Sequence, residues 1–112
     1  MIAFEIPGLR YSLPAGGAVK RHRFVSVDST GKGIQATAST QIVGASMNQT
    51  ASGEVLEIAD GIVMVEAAAA ITAGAAVYAN ADGKAAASGT VVAGIAITGT
   101  SAAGEFATIK IN

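Results

Sequence analysis

The order of marks along residues 19–58 is repeated along residues 71–111. Each stretch has an apolar start, a Val, a Gly-Lys turn, a small-residue step onto Gly, and a Gly-Glu pair before a second apolar run. Val25 answers Val77, and Gly31-Lys32 answers Gly83-Lys84, both at a spacing of 52. Val43-Gly44 answers Ala93-Gly94 at 50, and Gly53-Glu54 answers Gly104-Glu105 at 51. Spacings that drift by only a residue or two fit one compact domain of two similar halves, pseudo-repeats 19–66 and 70–112. The pattern places the conspicuous residues in turns and packing faces, which points to a structural or binding protein.

The fold class follows from which apolar residues the chain uses. Leu occurs three times against 30 Val, Ile and Thr, and β-branched side chains suit strands. The expected class is all-β, a small β-barrel or β-sandwich. Its core should be thin, because Ala and Gly fill 39 of 112 positions and there is no Trp. Part of the stability is therefore expected from association with further copies or another protein. No Cys is present, so disulfides, thiolate nucleophiles and Cys-ligated metals are outside the chain's chemistry.

Residues 1–18 read as an extended N-terminal arm, punctuated by Pro7-Gly8 and Pro14-Ala15-Gly16-Gly17. Phe4, Ile6, Leu9, Tyr11 and Leu13 make it too apolar to float free, so it should lie on its own sheet, a neighbouring subunit or a partner. The remainder, 19–112, is a single β domain. Strands are expected at 19–27, 33–38, 41–48 and 54–58, and Asp60-Gly61 between apolar runs signals a hairpin. The Ala-rich stretch 66–88 has helical content, but Gly74 interrupts it and the repeat register makes it an elbow followed by a strand at 75–79. Asp82-Gly83 reads as a tight turn, and strands at 91–98 and 105–111 complete eight to ten in all.

Candidate chemistry is sparse. The only His, His22, stands between Arg21 and Arg23 with no acid nearby in sequence, so neither catalysis nor a metal site is expected there. Glu54 and Glu57 fall on opposite faces of a strand. Asp28 and Asp82 read as turn residues bonding local amides. The Gly-Lys turns lack the spaced glycines and following helix of a phosphate cradle. The cluster Lys20-Arg21-His22-Arg23 splits across a strand's two faces and lacks aromatic platforms, so nucleic acid is not the expected partner. Residues 1–27 carry four cations and one acid, and the rest three cations and seven acids, a balance suited to an acidic protein surface. The start of the chain lacks an export signal, the uncharged runs are too polar for a membrane helix, and no cofactor is implied.

In this order, Ala18 to Asp28 with its Gly-Lys turn, Ile42-Val43-Gly44-Ala45-Ser46, Ala51-Ser52-Gly53-Glu54-Val55 and Gly61-Ile62-Val63 resemble the phage capsid decoration, or head cement, proteins. The likeness continues through Ala70 to Val77, Asp82-Gly83-Lys84, Val92 to Ala96 and Ala103-Gly104-Glu105, covering about residues 15–112. The arm, longer and more apolar than the family pattern, carries over least.

The resemblance implies a β-rich structural protein on the outer surface of an icosahedral head, made in the host cytoplasm. It also implies a homotrimer that binds the major capsid protein and bridges its subunits. Phe4, Ile6, Leu9, Arg10, Tyr11, Leu13, Lys20, Arg21 and Arg23 are the expected capsid-facing residues. The alternative is a carbohydrate- or cell-surface-binding module, for which Tyr11 and Tyr78 would be the only Tyr platforms.

Overall fold

The computed structural model describes residues 3–112. Nine strands and no helix are present among them: β1 (Ile6–Pro14), β2 (Phe24–Val27), β3 (Gly33–Gln35), β4 (Gly44–Ser46), β5 (Val55–Glu66), β6 (Ala76–Ala79), β7 (Ala85–Ala86), β8 (Val92–Ala96) and β9 (Phe106–Ile111). They form one antiparallel sheet in the order β3-β2-β4-β5-β9-β8-β6-β7, with β1 paired to β5. The all-β expectation holds, as a single sheet curled into a half-barrel and not as a two-sheet sandwich. The Ala-rich stretch is elbow and strand, with Gly74 at φ +85° before β6.

Three local expectations are corrected. Asp60-Gly61 is no hairpin, because β5 runs unbroken for 12 residues through it. Gly61 sits at φ +103°, and a Cβ there would lie 2.7 Å from the backbone nitrogen of Gly8. The dipeptide thus bends a long strand past β1, a use of Gly that turn statistics do not distinguish from a hairpin. Residues 19–23 are not strand either: the backbone turns there, with His22 at φ 61°, and β2 begins only at Phe24. In the second Gly-Lys turn the amide-binding side chain is Asn80, not Asp82: Asn80 Oδ1 accepts from the Asp82 and Lys84 amides, each at 2.9 Å.

Over Ile6–Pro14 the segment read as an arm is a strand of the sheet, pairing Ile6 with Ile62 and Pro14 with Val55. Tyr11 and Leu13 face inward and pack with Ala15, Val19, Val25, Leu56 and Ile58 in one small core. A larger core on the other side of the sheet holds Val63, Val65, Ala67, Ile71, Val77 and Ile109, together with Phe24, Ala36, Ala45 and Ala59.

Hydrogen bonds recur at the spacings seen in the sequence. Val19 and Thr50 exchange two backbone bonds, and so do Ile71 and Thr100. The Asp28 amide donates to Lys32 O at 2.9 Å, and the Asn80 amide to Lys84 O at 2.9 Å. Gly53 donates to Ala15 O, and Gly104 to Ala67 O. Leu13 pairs with Leu56 as Val65 pairs with Ala107, and Tyr11 with Ile58 as Val63 with Ile109. By this register β1 corresponds to the second part of β5, and β9 to the first part. The one long strand serves both sets of bonds.

Candidate partner-binding surface

The nine residues expected at a partner surface divide sharply. Ile6 and Leu9 are 61% and 62% exposed, large apolar side chains in the part of β1 where its register with β5 shifts between Pro7 and Arg10. Arg10 is exposed beside them and pairs with Glu57 at 3.1 Å, both side chains about half in solvent, so the pair adds little to stability. Lys20 and Arg21 are exposed in the turn before β2, and neither has a carboxylate partner among the described residues. Phe4 is 39% exposed and fixed by its backbone: its amide donates to Thr108 Oγ1 at 2.7 Å, and that hydroxyl donates to Phe4 O at 2.9 Å.

The other three residues are committed inside the molecule. Leu13 and Tyr11 are half-buried and pack against the smaller core, and the Tyr11 hydroxyl donates to Val43 O at 3.3 Å. Burial, and then the Asp60 charge, push the Tyr11 phenol above its ordinary range. Arg23 is 6% exposed. Its guanidinium donates to Asp82 O at 3.1 Å and lies 3.4 Å from Glu66, while Lys84 reaches the other Glu66 oxygen at 3.2 Å. Desolvation raises the Glu66 pKa, but the Lys84 hydrogen bond and the Arg23 and Lys84 charges outweigh it, so the carboxyl titrates below its usual range. Sequence adjacency to Arg21 gave no sign of this. The chain turns between the two residues, and Arg23 points inward.

His22 is half-buried. Its Nδ1 lies 3.3 Å from Met64 O and 3.9 Å from Glu5, and its ring meets Phe106 edge-on at 5.0 Å. Glu5 itself accepts from the Met64 amide at 3.0 Å, so this trio closes the edge of β5 left open beyond β1. No three potential metal-binding side chains converge among the described residues. Neither Tyr is a flat exposed platform: both are half-buried, Tyr11 against the smaller core and Tyr78 with Gly89 closely apposed, where a Cβ would lie 2.8 Å from the Tyr78 Cβ.

A second set of exposed apolar side chains escaped the sequence reading: Val27, Val55, Val92, Ile95, Ile97 and Phe106, each 38–64% exposed. Which face of a strand is outward depends on what covers the sheet, and that is not local information.

The model of the phage cement protein family matches residues 5–111. Among solved structures, the head fiber gp8.5 N base of bacteriophage phi29 superposes with a TM-score of 0.75 at 17% identity, covering 93% of each chain. At that identity the likeness is one of fold. No curated protein matches the sequence.

Proposed function

The chain belongs to the phage cement protein family, structural proteins that decorate and stabilise the capsid, and from that premise we propose how it does so. It binds the outer surface of an icosahedral head and bridges neighbouring copies of the major capsid protein, acting as a homotrimer made in the host cytoplasm and without catalytic activity. The observation that carries this reading is the family match across nearly the whole chain, from residue 5 to 111.

The exposed rim of β1 supports a capsid footprint made of Ile6, Leu9 and Arg10, with Phe4, Lys20 and Arg21 contributing apolar area and charge. Apolar anchors flanked by cations suit an acidic protein surface, where charge sets orientation and buried apolar area sets residence time. Tyr11, Leu13 and Arg23 act indirectly, holding the strand and the turn that present the others. Three footprints on one trimer make dissociation a joint event, so each can be weak.

The test is co-sedimentation with empty capsids. Leu9→Asp and Arg21→Glu, each folded by circular dichroism, should lower the bound fraction at least tenfold. Binding unchanged in both would reject this footprint, and native protein that never pellets with capsids would reject the capsid reading.

A further inference from the structure

The turn Asn80–Lys84 does not end in solvent. It lies on the face of the sheet formed by Phe24, Ala36, Ala45 and Ala59, all within 1% of complete burial. The Phe24 amide donates to Gly83 O at 2.8 Å, and a Cβ on Gly83 would stand 3.0 Å from Gln35 Cγ and 3.2 Å from the carbonyl oxygens of Ala36 and Phe24. Ala79, just before the turn, is 2% exposed in the same core.

Both partners of this contact have a counterpart elsewhere in the chain, and both counterparts lack such a contact, although Gly16 backs the Asp28 and Lys32 side chains of the first turn. The strand register equates Phe24 with Ala76, Ala45 with Ile95 and Ala59 with Lys110: Phe24 pairs Ala45 as Ala76 pairs Ile95, and Ala45 pairs Ala59 as Ile95 pairs Lys110. Yet Ile95 is 43% exposed, its neighbour Ile97 is 38% exposed, and Lys110 is in solvent. The turn Asp28–Lys32 has the same internal hydrogen bonds as Asn80–Lys84, but nothing lies within 4 Å of where a Gly31 Cβ would be. Val27, in the place of Ala79, is 42% exposed.

We infer that these two bare surfaces are halves of one interface between copies of this chain, the Val27–Lys32 turn of one molecule docking on the Ala76–Ile95–Ile97 face of the next. The contact inside the molecule is its template. An exposed Val and two exposed Ile gain from mutual burial. The charges the counterparts introduce are opposite, Asp28 on the turn and Lys110 on the face. The interface lacks the Arg23 clamp of its internal template, because Ala75 stands at the corresponding place, so it is weaker and concentration-dependent. Different surfaces meet, so the association is head-to-tail and finite only as a closed ring. The inference rests on the self-association proposed above and names its surface.

Masses in solution of Val27→Asp, Ile95→Asp and their equimolar mixture test it. Each single variant should fall to the 11.0 kDa of one chain. The mixture should recover a two-chain species, since each variant keeps the surface that the other has lost. Native mass in either variant, or a mixture that stays monomeric, would overturn the interface while leaving self-association standing. A native chain that is itself monomeric would remove both, and capsid co-sedimentation reads the remaining part of the proposal separately.

Discussion

Arg23 and Glu66 meet at 3.4 Å where the turn before β2 abuts the end of β5, and the guanidinium has almost no contact with solvent. Lys84 holds the second Glu66 oxygen, and Asp82 O takes a further guanidinium N–H, so three distant segments converge on one carboxylate. Arg23 Nε is buried without a hydrogen-bond partner among the described residues, so the site stands close to the point at which a buried cation becomes a cost. Glu66→Ala should destabilise the fold by roughly 2–3 kcal/mol, because it leaves that cation uncompensated. The check is a urea midpoint that falls while the slope of the transition stays the same.

Acid should weaken the protein through a small set of carboxylates. Glu66 is held low by Lys84 and Arg23 against its own desolvation. Asp28 is held low by the Thr30 hydroxyl and then the Lys32 amide, and Glu105 by the Ser101 amide and then its hydroxyl. A depressed folded-state pKa gives stability that is full above the unfolded value, near 4 for carboxylates, and is lost as pH falls through the folded value. Asp28→Asn should keep the turn, since Asn80 accepts the same two amide bonds in the second turn, and should flatten the acid limb. Melting temperature measured between pH 2 and 7 reads both effects, and an unchanged acid limb would contradict the assignment.

Gly44 and Gly94 occupy equivalent places where two strands nearly touch. An added Cβ would lie 2.5 Å from Ala59 O at Gly44 and 2.1 Å from Lys110 O at Gly94, both backbone atoms that cannot swing away. Gly44→Ala and Gly94→Ala should each cost about 1–3 kcal/mol. Gly17→Ala meets nothing within 4 Å and should cost far less. Thermal denaturation of the three variants makes the comparison.

Removing residues 1–14 should unfold the protein, because it takes away a nine-residue strand together with the core side chains of Tyr11 and Leu13. Leu9→Asp leaves the strand in place and should shift the melting temperature by only a few degrees. Circular dichroism on the two proteins separates a structural strand from a dispensable tail. A truncated chain with a native spectrum would contradict the strand's role.

The spacing of about fifty-two residues was legible because turn chemistry is local: a Gly at positive φ and a side chain that accepts nearby amides mark the same place twice. The β-branched composition gave the fold class for a similar reason. What escaped was anything set by contacts across the sheet. Val25 and Phe24 are adjacent and equally apolar, yet they enter different cores on opposite sides. Arg21 and Arg23 look alike in a run of cations, and a turn at His22 sends one to water and the other to Glu66. Asp60-Gly61 carries the composition of a hairpin, and only the apposed Gly8 makes it a bend.

Because β5 supplies a strand to each set of bonds, the molecule has no seam along which one portion can melt while the other survives. Loss of order on either side strips a partner from the same twelve residues, so the amide hydrogens of β5 should be among the last to exchange with solvent. A fold built this way fails all at once or not at all, which suits a structural protein of the cement family.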